Sequence, residues 1–193
     1  MSDTAYSTPV ETIAAQVEQL LGERARSVTV VRGEVTLVVA AAEYLQVMQT
    51  LRDAPQARFE QLIDLCGIDY STYGDGRWEG PRFAVVVHLL SVSLNQRLRV
   101  RVFCSEDDFP VVASVSGLWS AANWHEREAY DMFGIIFTGH PNLTRILCVE
   151  DWEGFPLRKD YVFPKDYHGI PGNPAMEWDP ASKPAPAKPG AKA

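Results

Sequence analysis

The side chains best suited to chemistry lie in one stretch, Trp124 to Tyr161, where acids, bases and aromatics alternate: WHEREAYDMFGIIFTGHPNLTRILCVEDWEGFPLRKDY. His125-Glu126 opens like the H-E-x-x-H zinc helix, but position 129, where the second histidine must stand to close the ligand pair, is alanine. Glu126, Glu128 and Asp131 offer carboxylates for acid–base work or for a hard cation. Residues two apart on a helix point away from each other, which separates Glu126 from Glu128. A structural ion-pair network with Arg127, Arg145, Arg158 and Lys159 is favoured, and Arg127 and Asp131 stand i, i+4 as one pair within it. A free-standing metal-dependent hydrolase built on the three acids is the alternative. Cys66, Cys104 and Cys148 are tens of positions apart, whereas iron–sulfur clusters and structural zinc are held by close pairs, so buried thiols are expected. No Gly-rich phosphate loop, G-x-S-x-G elbow or dinucleotide fingerprint follows a strand pattern. The chain is therefore expected to have no catalytic, cofactor-binding or metal-binding residues of its own.

Composition narrows the partners. A net charge of −7 and a pI near 5.1 argue against nucleic acid, whose phosphates demand a basic face. No run approaches the roughly 18 apolar residues of a membrane span, and MSDTAYSTPVE has no signal-peptide pattern. The chain is expected to stay in the cytoplasm and to reach a membrane only through partners.

These groups need a scaffold, and hydrophobic periodicity supplies one. Thr8-Pro9-Val10-Glu11 combines a capping box with proline at the first helical position, and Ile13, Val17, Leu20 and Leu21 continue an apolar face to Gly22. Val28–Val31 and Val35–Ala40 flank Arg32-Gly33-Glu34 as a hairpin. Tyr44, Val47, Met48 and Leu51 predict a second helix that ends before Pro55. Phe59 to Tyr70 reads as helix or strand, with strand favoured in its second half; STYGDGRWEGP reads as a loop. Phe83 to Leu90 is a strand covered on both faces, with His88 expected to be a satisfied core histidine. Leu98, Val100, Val102 and Cys104 alternate with Arg97, Arg99 and Arg101, giving a strand whose basic face is either solvated or offered to an acidic partner.

Ser114 to Phe133 predicts a helical run with an apolar stripe of Leu118, Ala122, His125, Ala129 and Met132, and Glu126, Arg127, Glu128 and Asp131 opposite. Gly134 is the left-handed stop. Ile135–Phe137 reads as a short strand, and Gly139-His140-Pro141-Asn142 and Gly154 with Pro156 as turns. The fold class is α+β: a mainly antiparallel sheet with helices packed against it, in one domain over 9–172. Residues 1–8 form a polar tail, and 173–193 a Pro/Ala/Lys-rich tail that cannot bury enough apolar area to order itself. Charges interleaved with Trp124, Tyr130, Phe133, Phe137, Trp152, Phe155 and Tyr161 imply pairing at a contact, either as a latch inside the domain or between subunits.

EREAYDMFG, FTGHPNLTRIL and EDWEGFPLRKDY together resemble the signature of the C subunit of the proton-pumping NADH:quinone oxidoreductase, respiratory complex I. The residues that carry the likeness are Glu126, Arg127, Glu128, Tyr130, Asp131, Gly134, His140, Pro141, Arg145, Gly154, Pro156, Leu157, Arg158, Lys159 and Asp160. The chain departs from the family pattern at Thr144, where a second arginine is usual, and at Phe155, where a histidine is usual. The resemblance implies a non-catalytic core subunit of the peripheral arm on the cytoplasmic face of the bacterial inner membrane. Its partners would be other complex I subunits, above all the quinone-cavity subunit and the adjacent cluster-bearing subunit, with FMN and iron–sulfur clusters held elsewhere. The equivalent subunit of a membrane-bound hydrogenase or ferredoxin-fed reductase is the alternative.

Overall fold

A computed structural model describes residues 8–164 and 166–171. Helix α1, Val10–Leu21, buries Ile13, Val17 and Leu21, and Gly22 at φ 55° closes it with its N–H on Glu18 O. The expected Thr8 cap is not made. Pro9 occupies the cap position, and the Thr8 hydroxyl instead donates to Leu94 O at 3.3 Å, tying the start of α1 to a strand turn far along the chain. Strands β1, Ala25–Val31, and β2, Glu34–Val39, form the expected hairpin. Arg32 at φ 54° and Gly33 at φ 76° both take the left-handed conformation that a tight two-residue turn requires. Helix α2, Tyr44–Asp53, buries Tyr44, Val47, Met48 and Leu51.

The ambiguous segment is strand from Gln61 to Asp69, designated β3, with a register shift between Leu62 and Asp64 that breaks the alternation. Strands β4, Phe83–Ser91, and β5, Gln96–Phe103, complete a five-stranded sheet of order β1-β2-β5-β4-β3. Its pairings are antiparallel except β2 with β5, which run parallel. Val35, Leu37 and Val39 share a face with Leu98, Val100 and Val102, with Val85, Val87 and Leu89, and with Leu65. These form one core with the buried sides of α1 and α2 and with Ala122, Ala129, Ile135 and Phe137.

On the opposite face two of the three arginines are already engaged. Arg99 pairs with Glu34 and bonds Thr36 Oγ1, and Arg101 lies over the Tyr70 ring at 5.9 Å. His88 departs from expectation. It is half-buried and lines a cleft at the sheet end with Glu34, Arg97 and Arg99, because its position in the register faces away from the core. Cys104 is buried as expected, but Cys66 is exposed on edge strand β3 and Cys148 is half-buried.

The helical run is shorter than expected. Val111–Ala113 is a strand, β6, paired in parallel with β7, Ile136–Thr138, and regular helix α3 covers Ala122–Phe133. Gly67 on β3 is where α3 ends against the sheet: a Cβ there would lie 2.7 Å from Phe133 Cδ2. The described residues from 8 to 159 form one compact unit. The described residues from 160 to 171 form a separate small unit. That unit contains the hairpin Asp166–Tyr167 and Ile170–Pro171, β8 and β9, turned through His168 and Gly169, with Tyr161 and Phe163 in ring contact at 5.1 Å. The tail expected over 173–193 lies outside the described residues.

Candidate functional site

The signature stretch folds into a knot around the C-terminal half of α3. Its centre is Asp131, which the sequence placed on the outer face and which is fully buried. One carboxylate oxygen accepts Arg145 Nη1 at 2.7 Å; the other accepts the successive backbone N–H groups of Ile146, Leu147 and Cys148 at 3.0, 2.7 and 2.8 Å. Burial pushes this carboxyl up, but the Cys148 N–H, Arg145 and the other two amides outweigh it and hold it below the usual carboxylate range. The expected i, i+4 pair with Arg127 does not form; Asp131 pairs with Arg145 through a single terminal nitrogen instead. Arg127 donates instead to the carbonyls of Thr144 and Arg145 at 3.1 and 2.9 Å and lies over the Trp124 ring.

Arg145 carries the knot outward. Its second terminal nitrogen donates to Trp152 O and Gly154 O, and its guanidinium sits 5.3 Å from the Phe155 ring. Gly134 then turns at φ 73°, as the sequence indicated, with its N–H on Tyr130 O. A Cβ there would meet Phe155 Cε2 at 2.5 Å and Arg158 Nη2 at 2.7 Å, so both backbone conformation and space demand glycine. Arg158 Nε donates to Phe133 O at 2.7 Å while its guanidinium lies between the Phe83 and Phe155 rings, at 4.9 and 4.6 Å. The Leu157 N–H reaches Met132 O, and Tyr130 meets Phe155 edge-on at 6.4 Å.

A second anchor, Asp69 at the end of β3, carried no signature in the sequence. It accepts Arg82 through Nε at 3.1 Å and Nη2 at 2.8 Å, the Ser71 N–H at 2.9 Å and the Lys159 N–H at 2.9 Å. Burial raises this carboxyl, yet Arg82, Lys159 and Ser71 together bring it well below the usual range. A carboxylate closing the apolar run Leu65 to Ile68 was the available signal, since such a group stays buried only when paired. Lys159 contributes its main chain here, not its ammonium group.

Glu126 is also fully buried, where an outer position was expected. It accepts Ser114 Oγ at 2.6 Å and the Val115 N–H at 2.7 Å. The inward register of α3 is thus Ala122, Glu126 and Ala129, and His125 turns out to half-exposure, 3.5 Å from Asp64. His140 Nδ1 accepts the Asn142 N–H, so its Nε2 carries the proton toward Asn123 O at 3.2 Å. Glu128, Pro141, Gly154, Leu157 and Lys159 are exposed, and Pro156 is half-buried. Asp160 is exposed in the second unit. The three acids of α3 do not converge: Glu126 and Asp131 have separate partner sets and Glu128 faces solvent. Among the described residues, no group of three or more His, Cys, Asp or Glu side chains is placed to hold a metal, and no helix is long and apolar enough to cross a membrane.

Comparison with known proteins agrees in extent with this architecture. The family described as "Respiratory-chain NADH dehydrogenase, 30 Kd subunit" matches residues 37–167. The C subunit of the NADH-quinone oxidoreductase of Burkholderia multivorans is 52% identical over 177 residues, covering 92% of this chain and 85% of the relative. Its counterpart of the same name in Ralstonia nicotianae is 54% identical over 172 residues, covering 89% and 82%. Among solved structures, a trypsin-resistant fragment of Nqo5 superposes with a TM-score of 0.55 at 30% identity, over 70% of this chain and all of that one. An archaeal membrane-bound sulfane sulfur reductase complex contains a chain of the same fold, at TM-score 0.63 and 22% identity, over 79% of this chain and 85% of that one. The chain belongs to the family of the 30 Kd subunit of respiratory-chain NADH dehydrogenase.

Proposed function

We propose that the chain is a core subunit of the peripheral arm of an NADH:quinone oxidoreductase and acts there as a brace without catalytic residues of its own. Electrons pass from NADH through FMN and iron–sulfur clusters held by other subunits to quinone, coupled to proton translocation. In this reading the subunit sits on the cytoplasmic face of the inner membrane, held through its partners: the quinone-cavity subunit and the adjacent cluster-bearing subunit. The observation that carries it is how the signature spends its charges. Asp131, Arg145 and Arg158 are consumed in contacts inside the chain, while Leu147, Val149 and Leu157 in the same loops are 64, 49 and 50% exposed. A rigid loop set that displays apolar side chains suits docking better than turnover. Family identity supports the reading, because the relatives above are named for this complex. The hydrogenase or ferredoxin-fed alternative is not favoured, since likeness to the archaeal complex extends to the fold alone.

Affinity purification of the tagged chain from its own cells tests this. Recovery of flavin- and cluster-bearing quinone-reductase partners is expected, with loss of membrane NADH:quinone reductase activity on deletion. Recovery as a lone chain, with that activity intact after deletion, overturns it.

A further inference from the structure

Glu126 is a buried carboxyl that the bracing role does not use. It is fully buried where α3, the segment after β6 and the His140 turn meet, and its surroundings carry little compensating charge. From α2 it faces Tyr44, a buried phenol whose hydroxyl makes no hydrogen bond among the described residues. From beyond β7 it faces His140, whose Nε2 lies 4.0 Å away and whose Nδ1 accepts the Asn142 N–H, an arrangement open only to a neutral imidazole. From the segment after β6 come the Ser114 hydroxyl and the Val115 N–H. Its own helix adds Asn123, whose carbonyl takes the His140 proton.

Ser114 makes this carboxyl more than a satisfied acceptor. Its Oγ lies 2.6 Å from Glu126 Oε2 and 2.7 Å from the Ser116 Oγ, and it accepts the Ser116 N–H at 3.2 Å. A hydroxyl has one proton to donate and two lone pairs to fill. With Glu126 ionised, Ser114 donates to the carboxylate and accepts from both groups of Ser116. With Glu126 protonated, the acid donates to Ser114, which donates onward to Ser116 Oγ. All three contacts are satisfied in either state by rotating two hydroxyls. Ser116 is half-buried, so the row of oxygens runs from a sealed carboxyl to the edge of solvent.

We propose that Glu126 is a reversible proton-binding site, filled from solvent through the hydroxyls of Ser116 and Ser114. A hydronium ion protonates Ser116 Oγ as the Ser116 proton passes to Ser114 and the Ser114 proton passes to Glu126 Oε2. One proton is gained by the carboxyl and one lost by solvent. Burial opposes the charged form and is only partly offset by the bonds from Ser114 and Val115, which raises the carboxyl to about 7.

The test is a carboxyl-carbon NMR titration of the full chain labelled at glutamate, with Glu126→Gln assigning the resonance. One glutamate titrating near 7, an acid about 300-fold weaker than an ordinary glutamate, is expected. Infrared spectra at acid pH show its protonated carbonyl band, and Ser116→Ala slows solvent exchange of that proton roughly tenfold while leaving the midpoint in place. Every glutamate titrating in the ordinary range overturns the site, and that result is read on the unsubstituted chain even if Glu126→Gln fails to fold. An exchange rate unchanged in Ser116→Ala overturns the path.

Discussion

Replacing Asp131 with asparagine should destabilise the first unit by about 3 kcal/mol, and the structure sets both the direction and the size. The amide oxygen can still receive the N–H groups of residues 146–148, so the backbone cradle survives. The amide nitrogen, however, then faces Arg145 Nη1 at 2.7 Å, donor against donor, with the Arg145 side chain only 13% exposed. Breaking a buried pair from one side costs about 3–5 kcal/mol because the surviving charge is stranded. Arg145 keeps the carbonyls of Asp131, Trp152 and Gly154 and the Phe155 ring, which places the loss at the low end of that range. In a chain of this length that corresponds to a fall in Tm of roughly 6–12 °C. Urea unfolding of the full chain followed by tryptophan fluorescence measures it. A double-mutant cycle with Arg145→Met should give a coupling of at least about 1.5 kcal/mol. A loss below about 1 kcal/mol for Asp131→Asn, or strictly additive losses in the cycle, would refute the pair as the centre of the knot.

Four further outcomes follow from the same geometry. Folded Glu126 titrates above its unfolded value, so its contribution is complete below 4.5 and is lost as pH rises through about 7; Glu126→Gln should remove about 3 kcal/mol of that decline, read from urea midpoints across the interval. Asp69 and Asp131 have the opposite sign, since their depressed carboxyls contribute above the unfolded value and are lost as pH falls, which makes unfolding in acid their signature in the same titration. Gly134→Ala places a Cβ against Phe155 and Arg158 at a positive φ and should lose about 2 kcal/mol or more by thermal unfolding, whereas Gly139→Ala, with open space around its Cβ, should lose only the conformational part. With a thiol reagent, exposed Cys66 should modify first, slowed by partial burial and by Asp64 and Glu128, and buried Cys104, pushed up to about 12 by burial, last; the reverse order would contradict the burial described.

What the sequence made legible was whatever local periodicity encodes. Helices α1 and α2, the β1–β2 turn and the alternation of β5 each depend on neighbours a few residues away, and each stands where its pattern put it. The strand at β3 was half hidden because the irregularity after Leu62 puts two exposed positions, Ile63 and Asp64, in succession. The inward face of α3 was misread for a different reason. Glu126 is buried by Ser114 and Val115, and Asp131 by a loop that returns 14 to 17 residues later, so nothing within one helical turn announces either partner. Asp69 was missed on the same account, with Arg82 and Lys159 meeting it from 13 and 90 positions away. The signature residues lie in one contiguous stretch of the chain, but their pairing needed the fold.

The cradle at Asp131 grips residues 146 to 148 through three successive main-chain N–H groups. Any amino acid except proline can supply such a group, so at exposed Leu147 the loop's path does not depend on the side chain it bears. Leu147, projecting from the middle of that grip, is therefore a mounting point: it can be exchanged to retune what the surface touches, by selection or by design, without loosening the anchorage beneath it.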